Sequence, residues 1–381
     1  MRKKIFLLFV FLLLFFPNLA LAVENPLAVA NNKFGIHILF PDEIIDSVKI
    51  INSTGGDWGY VTIPIQSGDR NLVKWQKFMD NARKFHVIPL IRLATEGDYF
   101  NTKVWRKPTQ QDVLDFANFL NSLYWPTKNH YIIVFNEPNR GDEWGGIPNP
   151  GEYAAILSYT TKTFKEKNKD FFIISAGLDN AAQNGNASYN QYDFLREMNA
   201  QVNGIFTQID GLGSHSYPNP GFSQNPYVDS YTSITSFKYE KNLVKSLSGK
   251  DLPVFITETG WSKERLSTTQ IAQYYKKAFE SVWSDQNIVA VTPFIFRAGS
   301  PPFDTFSFID NGAETEFNKS VQSLPKIKGT PLLDSTSPAT VSAVLGEETL
   351  VVKNFKETNN NNLLPNISPA IKAFIRWFLN I

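Results

Sequence analysis

The segment Tyr131-Ile132-Ile133-Val134-Phe135-Asn136-Glu137-Pro138 decides the fold of this chain. Five β-branched or aromatic apolar residues in succession read as a strand buried on both faces, and the following turn delivers two polar side chains at the strand's end. Working outward, seven more such runs occur: Phe34–Phe40, Tyr60–Ile65, Val87–Leu93, Phe171–Ala176, Ile209–Gly213, Val254–Thr257 and Ile288–Phe296. Segments with apolar spacing near 3.6 lie between them, such as Leu72–Phe85, Gln111–Leu123, Gly151–Lys167 and Thr268–Trp283. Eight alternating βα units predict the α/β class and a (β/α)8 TIM barrel. The competing architecture, a doubly wound open sheet, often carries a glycine-rich phosphate turn after its first strand, and none is present here.

The 381 residues are 43% hydrophobic and 19% charged, which suits a folded domain with a full core. Lys and Arg total 37 against 36 acidic side chains, so no basic field exists to attract nucleic acid. Cysteine is absent, which removes thiol nucleophiles and cysteine-held metals and leaves stability to the core. Aromatic residues make up 14%, enough for both a core and flat surfaces that cover a sugar face.

The ends differ from the middle. Arg2, Lys3 and Lys4 precede the apolar run Ile5 to Phe16, and Ala20-Leu21-Ala22 has the form of a cleavage site. Residues 1–22 are therefore expected to be a signal peptide cleaved after Ala22, making the protein secreted or cell-surface. Pro17 and Asn18 interrupt the run, which argues against an uncleaved anchor. The barrel is expected over residues 23–325. Residues 326–381 read as a Pro/Ser/Asn-rich tail whose last stretch, Ile371 to Leu379, forms an amphipathic helix with Ile371, Phe374, Ile375 and Phe378 on one face. Docking of this helix on protein is preferred over a membrane interface, the one membrane contact the sequence offers.

Two carboxylates carry the chemistry. Glu137 directly follows the fourth strand run, and Glu258, in Thr257-Glu258-Thr259-Gly260-Trp261, directly follows the seventh. In barrels of this kind the active site lies at the C-terminal ends of the strands. A facing pair of carboxylates is the minimum equipment for glycoside hydrolysis, and their separation decides between retention and inversion.

Asn136-Glu137-Pro138 after strand four, with Glu258 after strand seven, resembles the large clan of retaining (β/α)8 glycosidases that includes many cellulases, mannanases, β-xylosidases and endo-galactanases. The resemblance covers about residues 33–310. It implies that Glu137 is the acid/base, that Asn136 hydrogen-bonds the sugar 2-hydroxyl, and that Glu258 is the nucleophile of a double displacement on a β-linked poly- or oligosaccharide. The clan often has a His and a Tyr after strand six, which here would be His215 and Tyr217; the Tyr can hydrogen-bond the nucleophile. His37 near the end of strand one is a further candidate. Arg92 at the end of strand three would hold the nucleophile ionised, contact substrate, or form a structural ion pair.

Trp261 is a candidate sugar platform, with Trp58, Trp105, Trp144, Tyr99 and Phe100 as others. The clan commonly places a Trp at the end of strand eight. Here the run reads Phe294-Ile295-Phe296-Arg297, so Phe296 is expected to substitute, and Arg297 would suit an acidic sugar. The usual Arg late in strand two is missing. No metal and no cofactor are expected, since only four His are present and no His-x-His pair follows strand one. A monomer is expected. The alternative is a catalytically inactive carbohydrate-binding barrel.

Overall fold

The computed structural model describes residues 23–95 and 103–335. The leader over 1–22, loop residues Tyr99 and Phe100, and the helix expected over Ile371 to Leu379 lie outside the described residues.

Eight parallel strands appear where the apolar runs place them. They are β1 (Gly35–His37), β2 (Gly59–Gln66), β3 (Val87–Ala94), β4 (His130–Val134), β5 (Phe171–Ser175), β6 (Leu212–His215), β7 (Val254–Glu258) and β8 (Ile288–Val291). One ladder runs β1-β2-β3-β4-β5 and a second runs β6-β7-β8. Isolated parallel bridges, Ile174 with Gly211 and Phe34 with Val291, join the ladders at both seams. Two runs were longer in sequence than in structure. The first strand stops at His37 and the eighth at Val291; one further amide from each still reaches the neighbouring strand, Ile38 to the Thr62 carbonyl and Thr292 to the Ile256 carbonyl, before the chain leaves the ladder.

Alternation along the strands builds two cores. Tyr60, Ile88, Leu90, Tyr131, Ile133, Phe172, Ile174 and Phe255 point inward and fill the barrel. Val61, Ile63, Ile91, Ile132, Val134, Ile173 and Ile256 point outward and meet the helices. The alternation also aims Arg92, two residues beyond Leu90, toward the barrel's axis.

The helices answer with one apolar stripe each. On α2 (Leu72–Lys84) the buried residues are Trp75, Phe78, Met79 and Ala82. On α3 (Gln110–Asn121) they are Val113, Phe116, Ala117 and Leu120. Both follow the i, i+3, i+4, i+7 rule, and each large side chain so buried contributes about 1.5–3 kcal/mol. Helix α1 (Ile44–Ile51) precedes these; α4 (Pro150–Lys167), α5 (Gln191–Gln201), the single turn α6 (Ile205–Gln208), α7 (Ser236–Ser248), α8 (Thr268–Lys277) and α9 (Glu316–Ser323) follow. Polar caps start several of them. The Thr109 hydroxyl accepts the Asp112 amide while Asp112 accepts the Thr109 amide, a capping box worth about 1 kcal/mol.

Both ends of the described chain pack on the face where the strands begin. The Glu24 amide donates to Asn129 Oδ1 at 2.9 Å, just before β4. Past Leu324, the chain continues along this face. Lys326 Nζ donates to the carbonyls of Val321, Gln322 and Leu324 at the C-terminus of α9, where a cation opposes the helix dipole. Asp334 Oδ2 lies 3.1 Å from His130 Nε2, and its carbonyl accepts from Arg83 at 2.9 Å. Among the described residues no helix is long and apolar enough to cross a membrane.

Candidate active site

At the opposite face the strand ends surround a cleft of about 420 Å³. β4 delivers Asn136 and Glu137 into it through a strained turn. Phe135 and Glu137 adopt left-handed backbone angles, φ 68° and 28°, which non-glycine residues rarely take. The fully buried Asn139 fixes this turn. Its side chain accepts the Asp179 amide and donates to the carbonyls of Asp179 and Tyr189. β7 delivers Glu258. Among the described residues, Glu137, His215 and Glu258 form a cluster in which one atom from each lies within 4.8 Å of the others, so the two carboxylates face each other closely.

The two carboxylates have different partners. Glu258 Oε1 accepts from Arg92 Nη1, and Oε2 accepts from the Tyr217 hydroxyl at 3.0 Å. Burial pushes its carboxyl up, but the positive charge of His215 and of Arg92 outweighs burial and holds it below the ordinary carboxylate range. Arg92 Nη1 also donates to Asn136 Oδ1 at 2.7 Å, so one guanidinium orients both the carboxylate and the amide. Glu137 Oε1 lies 2.8 Å from His215 Nδ1, and its Oε2 accepts from Arg140 Nη1 at 3.3 Å. Burial lowers the affinity of His215 for its second proton, yet the charges of Glu258 and Glu137 raise it above the usual imidazole value.

His215 is itself held from behind. A Cβ added at Gly177 would sit 2.1 Å from the His215 ring, so glycine is needed there for the ring to reach Glu137. The Ser214 hydroxyl, on the preceding residue, donates to the buried Glu240 of α7 at 3.0 Å and lies 2.8 Å from that of Ser216. Burial pushes Glu240 up to about 7.

His37 is fully buried with Nε2 3.6 Å from Glu258 Oε1. Burial, then the charge of Arg92, pushes it down to about 3, so a neutral ring stands behind the carboxylate. It meets the edge of Phe294 at 5.2 Å.

The structure thus brings Glu137, Glu258, Asn136, His215, Tyr217, Arg92 and His37 together. Two expected sugar contacts it does not bring. Trp261 is 1% exposed, packed against Tyr274, Tyr275 and Trp283 with its indole N–H on the Gln224 carbonyl. It is core, because the chain after Gly260 turns away from the mouth toward α8. Phe296 is likewise 1% exposed and belongs to the outer core. Since β8 ends at Val291, strand alternation does not reach that far, and Phe294 lines the cleft instead. Arg297 lies over the Phe296 ring and pairs with Asp46 at 3.3 Å, outside the cleft, so it contacts no acidic sugar there. Trp58 stacks on His86 near the start of β2 and β3, at the far end of the barrel. Trp105 lines the cleft; Trp144 borders it but is nearly wholly buried.

Other lining residues were not singled out by sequence. Phe222, Phe303 and Phe306 form an aromatic wall beside Tyr217 and Phe294. Arg140, Asp142, Glu143 and Asp179 also line the cleft. Burial, then the charge of Glu137, pushes Glu143 up to about 7 and raises Asp179 in the same way. These residues lie on loops, where no periodicity marks them. The only signal is position, shortly after a strand's end.

Glu137, His215 and Glu258 are the donor set among the described residues that could hold a metal ion. Both Glu258 oxygens already accept from Arg92 and Tyr217, and His215 uses Nδ1 toward Glu137. A cation would have to displace these bonds beside a guanidinium, so the residues do not fit a metal.

No family model and no curated protein matches the chain by sequence. Solved structures do resemble it. A family 39 glycoside hydrolase from the gut symbiont Bacteroides cellulosilyticus WH2 aligns over 78% of this chain at 16% identity, TM-score 0.54, and the match spans 64% of that protein's chain. A GH128 (subgroup II) endo-β-1,3-glucanase from Sorangium cellulosum aligns over 77% of this chain and 98% of its own, at 15% identity and TM-score 0.52. A glucosidase from Croceicoccus marinus aligns over 79% of this chain and 67% of its own, at 11% identity and TM-score 0.55. At these identities the likeness establishes the architecture, and the chain has the (β/α)8 fold on which these hydrolases are built.

Proposed function

We propose that the protein is a retaining glycoside hydrolase acting on a β-linked poly- or oligosaccharide. The carrying observation is the facing pair Glu137 and Glu258, with oxygens within 4.8 Å of each other in a cleft at the C-terminal ends of the strands. A separation near 5–5.5 Å accommodates direct attack by one carboxylate, whereas inversion needs about 6.5–9.5 Å for an intervening water. Glu258, kept ionised by the charges of His215 and Arg92 and by the Tyr217 O–H, attacks the anomeric carbon. Glu137 gives its proton to the departing glycosidic oxygen. Water then enters on the same face, Glu137 takes its proton, and the glycosyl–Glu258 bond breaks.

Asn136 supports the same reading. Its Oδ1 is occupied by Arg92, which leaves the amide N–H groups for a sugar hydroxyl. His215 Nδ1, 2.8 Å from Glu137 Oε1, holds that carboxyl in its place in the cleft. The fold shared with the hydrolases above agrees with the reading. The basic, apolar and small-residue pattern at the N-terminus supports secretion or display at the cell surface.

The test is a screen of the mature protein against β-linked glycans and aryl glycosides, with product stereochemistry followed by proton NMR. Glu258→Gln is expected to abolish turnover with the fold intact. Glu137→Gln should lose most activity on natural glycans and spare aryl glycosides with good leaving groups. Wild-type turnover by either variant on a natural glycan would overturn the assignment, and an inverted product would overturn retention.

A further inference from the structure

We infer that the outer wall of the barrel carries a second glycan-binding site, a tyrosine-lined groove on the loop that also lines the catalytic cleft, which takes a remote stretch of the same polysaccharide. The inference rests on the glycosidase reading for the identity of the chain it binds. The groove, of about 470 Å³, lies between α5 and α7. Tyr192 from α5, Tyr231 from the β6–α7 loop and Tyr239 from α7 line it. Their rings form one cluster, Tyr231 standing 5.3 Å from Tyr192 and 4.4 Å from Tyr239. Tyr231 is 60% exposed, a large flat ring left open to solvent. Side-chain amides, Asn190 and Asn242, border the rings.

This mixture suits a carbohydrate. A pyranose has an apolar C–H face, which an aromatic ring covers, and a belt of hydroxyls, which amides satisfy. Tyrosine supplies both a ring and a hydroxyl with only two side-chain torsions to freeze. Here the rings are already set against one another. The Tyr192 hydroxyl donates to the Tyr231 main-chain carbonyl at 3.0 Å, and the Tyr239 hydroxyl donates to Asp229 at 3.2 Å.

The shared loop and the adjacent lining residues commit the groove to the same occupant as the cleft. Asp179 lines the cleft and the next residue, Asn180, lines the groove. Asn180 Nδ2 donates to the carbonyl of Tyr217, the residue whose hydroxyl holds Glu258. A single loop carries Tyr217 and Phe222 at the cleft and Tyr231 at the groove, and the Asn219 amide ties its two ends by donating to the Thr232 carbonyl at 2.9 Å.

The test pairs binding with kinetics. The full chain and a Tyr231→Ala/Tyr239→Ala double variant are sedimented with insoluble β-1,3-glucan, cellulose, β-mannan and xylan. Both are then assayed on soluble chains of each polymer and on aryl glycosides. Loss of stacking on two rings should weaken binding and raise KM on the polymer about fivefold to tenfold. It should leave kcat, and all parameters on the aryl glycoside, unchanged. Tyr231→Phe should behave as wild type. Because Tyr231 is bonded here through its main-chain carbonyl, truncating its side chain keeps that bond. Equal binding and equal KM for the double variant would overturn the inference, as would a matching loss on the aryl glycoside, or wild-type protein that sediments with none of the four. Binding that the variant loses, in a protein that hydrolyses nothing, would keep the groove and overturn the glycosidase reading.

Discussion

Replacing Glu240 with Gln should make the protein more stable at alkaline pH and leave it unchanged in acid. Glu240 is 2% exposed beneath β6, with Ser214 donating to it, and burial pushes it from 4.5 up to about 7. A carboxyl whose folded value is raised holds its proton more tightly in the native state. Stability is therefore fully present below the unfolded value and is lost as pH rises through the folded one. Each unit is worth about 1.4 kcal/mol, so ionising Glu240 costs the fold about 3 kcal/mol by pH 8. Gln cannot ionise, yet its amide oxygen can still accept from Ser214. Urea unfolding of both proteins between about pH 4 and 8 reads the difference directly. The gap between the two curves should open by about 3 kcal/mol, mostly between pH 4.5 and 7. Parallel curves would refute the reasoning, because they would mean that Glu240 finds a compensating cation or water once charged.

Arg92→Met removes the guanidinium that holds Glu258 ionised and Asn136 in place. The acid limb of kcat/KM should move upward by about one to three pH units, and an unmoved limb would reduce Arg92 to a positioning role. Gly177→Ala forces the His215 ring to shift away from Glu137. Turnover of glycosides with poor leaving groups should fall about a hundredfold with little change in circular dichroism, and wild-type rates would show that the His215–Glu137 bond is dispensable.

The strands were legible because their signal is local. Runs such as Tyr131–Phe135 need no knowledge of the rest of the chain, and a Glu directly after such a run on a barrel strand has one place to go. Arg92 and His37 were legible as candidates for the same reason. The aromatic contacts were not. Trp261 and Phe296 sit at the sequence distances where a sugar platform is expected, but both lie past the last ladder bond, where the chain's direction depends on what it packs against. Trp261 found Trp283 and Tyr275, and the outer core took it. Phe294, Phe222, Phe303 and Phe306 reach the cleft from loops whose paths are set by long-range contacts. Glu143 and Asp179 were missed for a related reason: nothing in sequence distinguishes a loop carboxylate facing Glu137 from one facing solvent.

The packing of Glu24 and Asp334 beneath the strands has a practical corollary. The molecule has a gripping end and a working end. A tether, a fused module or a solid support attached through residue 23 or residue 335 would hold the barrel by its base, and a polymer could pass across the opposite face without meeting the attachment.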